Sequence, residues 1–221
     1  MAANLMSTGK FITFEGGEGA GKSTQAQRLV LRLEEAGQST VLTREPGGSE
    51  KAEQIREFLL SDKAKDIGPL AEAVLFSAAR DDHLEKLIRP ALKIGKWVVS
   101  DRFADSTRAY QGSASLKPEL IRTLEDVVIG KTRPDLTIIL DLAAEKGLTR
   151  ATERRGRNGR PADGFEARDN DFHQSLRDKF LAIAEAEPER CVVIDADQSE
   201  EAIGQAVWAA VEGRLKPQKQ G

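Results

Sequence analysis

A doubly wound α/β fold, with one parallel sheet covered by helices on both faces, is the architecture this 221-residue chain predicts. Three observations predict it. Short apolar, β-branched runs alternate with longer stretches of helical period. Most of those runs are apolar on both faces, as strands between two helical layers must be. No internal repeat or composition break divides the chain, and its length suits one large domain with a full core. The expectation is a single domain over residues 1–221, with a loose tail at 1–9 and a second at 217–221.

In chain order, KFITFE (10–15), STVLT (39–43), KWVVSD (96–101), LTIILD (136–141) and CVVIDA (191–196) read as five strands. Helical periodicity marks 22–36, where Leu29, Val30 and Leu33 share a face, and 70–88, where Leu75, Leu84, Leu87 and Ile88 do. It marks 199–215 likewise, through Ile203, Val207, Trp208 and Val211. Right-handed crossovers carry the C-terminal ends of the strands, and the loops that follow them, to one edge. The stretch RATERRGRNGRPADGFEARD (150–169) breaks the pattern: it is polar, bears glycine and holds Arg150, Arg154, Arg155, Arg157, Arg160 and Arg168. Its middle, about 155–168, reads as a mobile loop joining two helices.

Composition narrows the function classes. A net charge of −3 gives no whole-molecule attraction to nucleic acid or to an anionic membrane. No apolar run approaches the ~20 residues that cross a bilayer, and the first ten residues lack the basic and apolar regions of a secretory signal. The single cysteine, Cys191, lies in an apolar run and excludes an internal disulfide, which fits a reducing cytoplasm. With two histidines and one cysteine, a His/Cys metal site is not expected.

The chemistry concentrates in FEGGEGAGKST (14–24). Gly16, Gly21, Lys22 and Ser23 match G-x-x-x-x-G-K-[ST], with a strand before and an amphipathic helix after, so the fold sharpens to a three-layer P-loop NTPase. Each position has a physical reason. Glycines let backbone N–H groups approach phosphate oxygens closely, and the helix N-terminus adds unpaired donors and partial positive charge. Gly16, Gly17, Glu18, Gly19, Ala20, Gly21, Lys22, Ser23 and Thr24 therefore form the candidate ATP site. Lys22 supplies a point charge to the β- and γ-phosphates, and the Ser23 hydroxyl suits Mg²⁺. The loop alone does not name the reaction. No Asn-Lys-x-Asp stretch marks a GTPase. SDRF (100–103) ends the third strand at the functional edge: Asp101 suits Mg²⁺ or an acceptor, and the Arg102 fork suits a phosphate. Asp141, ending the fourth strand, ranks second as a magnesium-side acid.

FEGGEGAGKST, TREPGG (43–48), LFSAAR (75–80), SDRFADSTRAYQG (100–112) and RPDLTIILDL (133–142) occur in one order. Together they resemble the thymidylate kinase family, over about residues 10–211. The resemblance implies transfer of the ATP γ-phosphoryl to dTMP, with Mg²⁺, in a cytoplasmic homodimer. It implies that Phe76 stacks on thymine, binding without choosing, for ~1–3 kcal/mol. Arg80 would donate to a thymine carbonyl. The i,i+4 spacing of the two sets them on one helix face. By the same resemblance Arg102 holds the dTMP phosphate, assisted by Arg44 and Arg56. Tyr110 lies against the deoxyribose and leaves a 2′-hydroxyl without a partner, Arg108 contacts base or phosphate, and Gln111 reaches the base. Glu18, an acid inside a phosphate loop, needs a cation beside it.

The resemblance also turns the arginine-rich segment into a lid. Where the phosphate loop lacks arginine, as here at Gly17–Ala20, lid arginines supply the transition-state charge, worth ~10³–10⁵ in rate. The family commonly reads Asp-Arg-Phe-Glu there, whereas this chain reads DGFE, with Gly164 in the arginine's place. Arg155, Arg157 and Arg160 are the replacements, with Arg157 and Arg160 assigned to catalysis. The alternatives are another small P-loop nucleotide or deoxynucleoside kinase, and a nucleotide-binding regulator with no acceptor.

Overall fold

β-Branched and aromatic side chains pack well on a pleated surface, and the runs rich in them form the strands of the computed structural model. These are β1 (Phe11–Glu15), β2 (Thr40–Arg44), β3 (Trp97–Asp101), β4 (Leu136–Asp141) and β5 (Cys191–Asp195). The structure describes residues 9–64, 66–112, 116–158, 164–165 and 167–217. All pairings are parallel, in the order β2-β3-β1-β4-β5. β1 is central, and the strand order reverses around it, so a crevice opens beyond its C-terminal end. Phe14 lies beside Asp101 on one side, and Glu15 beside Ile139 on the other.

The helices are α1 (Lys22–Glu35), α2 (Glu50–Leu59), α3 (Gly68–His83), α4 (Arg89–Lys93), α5 (Ala104–Gln111), α6 (Pro118–Ile129), α7 (Ala144–Asn158), α8 (Asn170–Ala186) and α9 (Glu200–Leu215). Both sheet faces are covered. Ile12, Phe14, Val99, Ile138 and Leu140 face Leu29 and Leu33 of α1 and Ile203, Val207 and Val211 of α9. On the other face Phe11 and Val98 meet Leu84, Ile88, Phe103 and Ile129. Ile139 packs with Leu176 and Phe180 of α8, and Cys191 is a buried, unpaired member of that cluster.

Three expectations change. The helix expected over 70–88 begins at Gly68 and widens into a π-turn over Leu84–Ile88 before α4. Pro90 accounts for this: it offers no N–H, and its ring would press on the carbonyl four residues back, so the turn takes in one more residue. The lid segment is helical in its first part, since α7 runs on through Asn158. And Gly9 is no tail residue: an added Cβ would meet the Lys96 carbonyl oxygen at 2.3 Å.

Candidate active site

The phosphate loop leaves β1 and enters α1 at Gly21, whose φ of 91° is the left-handed conformation that glycine adopts at little cost. No side chain caps α1, so its first N–H groups are available to an anion. The Lys22 ammonium lies across the loop, donating to the carbonyls of Gly16 at 3.1 Å and Gly17 at 2.6 Å. Burial and the nearby Arg102 guanidinium push its pKa down to about 8, against the opposing pull of Glu18 and Asp101. The loop also carries the root of α7. A Cβ on Gly19 would meet the Gly147 carbonyl oxygen at 2.1 Å, and one on Gly147 would meet the Glu18 carbonyl oxygen at 2.2 Å. Two glycines thus let the phosphate loop and α7 touch backbone to backbone.

β3 delivers the next layer. The Ser23 hydroxyl donates to Asp101 Oδ2, and Asp101 Oδ1 is buried with no hydrogen-bond partner among the described residues. Arg102 follows with φ 72°, a strained conformation for a side chain of its size. Its guanidinium donates to Glu18 at 2.5 Å, to the Gly16 carbonyl at 3.3 Å and to Ser106 Oγ at 3.1 Å, and stands 5.2 Å over the Tyr110 ring. Tyr110 Oη also donates to Glu18, at 2.8 Å. Burial pushes the Glu18 carboxyl up, but Arg102, Lys22, the Tyr110 hydrogen bond and Arg154 outweigh it and hold its pKa at about 2. Glu18 is therefore an ionised anchor for Arg102. Sequence reasoning passed over Glu15, the last residue of β1. Its carboxyl accepts from Phe103 N at 2.8 Å and from Ser106 Oγ at 2.6 Å, so it ties down the chain that follows Arg102. Burial and the neighbouring Asp105 raise its pKa to about 7.

From here a cavity of about 260 Å³ runs toward α3, near the low end of ligand pockets. Its walls include Ser23, Asp101, Arg102 and Tyr110 at one end, Phe76 and Arg80 on α3, and Arg44, Arg56 and Gln111 around them. Seven of the eight residues expected to hold the acceptor thus surround one space. Arg108 is the exception and a correction. It turns to the far side of α5, donating to Asp105 at 3.0 Å and Glu187 at 2.6 Å, because those carboxylates sit opposite the cavity. Asp141 is also committed elsewhere, to a two-pronged pairing with Arg177 at 2.6 and 2.9 Å.

The lid assignment shifts by one helical turn. Arg154 and Arg157 are both exposed and share a surface hollow with Arg150 and Glu153, but Arg154 also lines the cavity and Arg157 does not. Arg160 lies outside the described residues. Phe165, next to Gly164, joins the wall and meets the Phe76 and Tyr110 rings at 5.9 and 5.8 Å. In sequence Arg154 is one of the segment's arginines but not assigned to catalysis, and Phe165 is not singled out; the i,i+4 step from Arg150 was the available signal for the first, a lone aromatic in a polar stretch for the second.

A phosphate loop, an arginine held over it and a cavity reaching from that arginine to an aromatic–arginine pair define a P-loop phosphotransferase. Thymidylate kinase is the family whose model matches residues 14–207. Thymidylate kinases of Bradyrhizobium diazoefficiens and Nitrobacter winogradskyi are 55% and 54% identical to the chain, over 95% and 93% of it and 91% and 89% of theirs. The crystal structure of thymidylate kinase from Ehrlichia chaffeensis aligns with a TM-score of 0.73 at 35% identity, over 92% of this chain and 98% of that one. The chain belongs to the thymidylate kinase family and is accordingly a nucleoside monophosphate kinase.

Proposed function

We propose that the chain transfers the γ-phosphoryl group of ATP to dTMP, giving dTDP and ADP. The observation that carries this reading is the continuity of one cavity from Ser23, Asp101 and Arg102 to Phe76 and Arg80. ATP phosphates lie on the amides of residues 16–24 and on Lys22, and the dTMP phosphate meets Arg102, with Arg44 and Arg56 beside it. Phe76 stacks on the base, Arg80 donates to its carbonyl and Gln111 closes the far side. The Tyr110 hydroxyl is engaged by Glu18, so the ring offers the sugar a surface and a 2′-hydroxyl no partner. Leaving that hydroxyl unpaired costs roughly 1–3 kcal/mol, about 5–150-fold against a ribonucleotide.

Phosphoryl transfer needs positioning and charge neutralisation more than a strong base. Glu18 and the strained backbone hold Arg102 in place before substrate arrives. Lys22, its pKa lowered to about 8, remains largely protonated at neutral pH and brings its charge to the phosphates. Arg154, from α7, is the lid cation facing the same space; Arg157 and Arg160 lie beyond it in the chain. Mg²⁺ belongs to this proposal. Ser23 and Asp101 are adjacent hard oxygen donors, and Asp101 Oδ1, without a hydrogen-bond partner among the described residues, fits a cation or its water. When bound, the ion neutralises charge developing between the β- and γ-phosphates. Coupled ADP release measured with dTMP, dUMP, UMP, dGMP, AMP and thymidine tests the reading: dTMP should give the highest kcat/KM, and no stimulation by dTMP would overturn it.

The proposal extends to assembly and setting. Leu70 and Val74 on α3 are exposed at 49% and 46%, Leu120 and Val127 on α6 at 38% and 78%, and the two helices pack together. An apolar face of that kind supports a homodimer formed away from the phosphate loop. A cytoplasmic setting agrees with a buried, unpaired Cys191.

A further inference from the structure

Arg80 is nearly fully buried, and two of its three guanidinium nitrogens are held from opposite sides. Nε donates to Glu45 Oε2 at 2.7 Å, while Nη2 donates to the Phe103 carbonyl at 3.2 Å and Thr107 Oγ1 at 3.0 Å. Nη1 is the nitrogen with no hydrogen-bond partner among the described residues. Glu45 is itself held. His83, fully buried on the last turn of α3, contacts Glu45 Oε1 through Nδ1 at 3.1 Å and Thr43 Oγ1 through Nε2 at 2.7 Å. A carboxylate only accepts, so Nδ1 carries the proton, and in the neutral ring Nε2 accepts from the Thr43 hydroxyl. This chain depends on a close approach. A Cβ on Gly48, at φ 87°, would meet His83 Nε2 at 2.3 Å and Thr43 Oγ1 at 2.6 Å. None of His83, Thr43 and Gly48 lines the cavity.

We propose that His83, acting through Glu45, is a positioning residue that sets base choice by fixing the rotation of Arg80. With Nε and Nη2 committed, the planar fork has one orientation, and Nη1 is the group presented to the base. The two N–H groups there donate to the O4 carbonyl of thymine and repel the N4 amino group of cytosine, itself a donor. Were Glu45 free to turn, Arg80 would swing, and the cavity would lose its preference for an acceptor edge. Phe76 would still bind either pyrimidine by stacking. The inference rests on the reading of Arg80 as the base-contacting residue.

The test compares dTMP KM with the inhibition constant of dCMP against dTMP, in wild type, H83Q, H83N, E45Q and R80M. The ratio of the two constants does not depend on how much of a preparation is folded. H83N keeps a donor near the Nδ1 position; H83Q moves it out of reach of Glu45. In H83Q and E45Q the ratio should move about 10-fold toward dCMP with kcat within about 3-fold of wild type. H83N should restore it to within about 3-fold. If R80M shifts the ratio while H83Q and E45Q do not, the relay is wrong and the base-site reading stands. If R80M leaves the ratio unchanged, both fall. Equal losses in H83Q and H83N would reduce His83 to a fold residue and overturn the inference.

Discussion

Arg102 shows how a single position concentrates function. Its left-handed backbone, costly for a long side chain, is held because Arg102 N donates to Phe14 O at 2.9 Å and the guanidinium binds Glu18 and Gly16. R102K keeps a charge but loses the fork. We expect kcat/KM for dTMP to fall about 100-fold or more in steady-state assays, with the far-UV spectrum unchanged. Glu15 gives a pH signature. Its folded pKa of about 7 lies above the ordinary 4.5, so the native state binds that proton more tightly than the unfolded chain. The resulting stabilisation is complete below about pH 4.5 and is lost as pH rises through 7. In E15Q this dependence is absent. Urea unfolding at pH 5 and pH 8 should show E15Q gaining on wild type at the higher pH, by a difference on the order of 3 kcal/mol; an equal offset at both pH values would contradict this.

At the scale of elements, the site is a meeting of β1, β3, α3 and α7. α7 is the one whose role the sequence pattern understated, because its arginines sit in a polar stretch that reads as loop while the helix continues to Asn158. Helical spacing then decides which of two exposed arginines borders the cavity: Arg154 does, and Arg157, three residues on, does not. R154A should lower kcat by ~10³ with dTMP KM changed less than 5-fold, and R157A should do far less; the two variants differ in nothing but the turn they occupy. Gly147 is the structural counterpart. G147A would press a methyl group on the Glu18 carbonyl at 2.2 Å, separating α7 from the phosphate loop. The expected result is a kcat loss of about 10-fold or more, accompanied by a lowered melting temperature in calorimetry.

The whole molecule places these elements by strand order. With β1 central and β3 and β4 on either side, the C-terminal ends of three strands converge on one crevice, and the cavity opens there and nowhere near the opposite edge. The same arrangement turns the apolar residues of α3 and α6 outward, away from that crevice. The proposed homodimer predicts that wild type sediments as a dimer and a V74E/V127E double variant as a monomer, in analytical ultracentrifugation at micromolar concentration. Identical sedimentation of the two proteins would remove the homodimer from the proposal.

The sequence by itself determined the strands and the phosphate loop, and its family resemblance pointed to most of the residues that line the cavity. Strand period and the glycine–lysine–serine spacing are local patterns, and local sterics and hydrogen bonding enforce them wherever they occur, whereas Phe76 and Arg80 were legible only through the family resemblance. Tertiary structure alone decided which way side chains on short polar helices turn. Arg108 and Tyr110 are two residues apart on α5, yet one reaches Glu187 and the other Glu18, because partners distant in sequence lie on opposite sides of that helix. The pairing of His83 with Glu45, 38 residues apart, has the same origin. A buried polar group must find a partner, but which partner comes within reach is settled only when α3 packs beside the turn that follows β2.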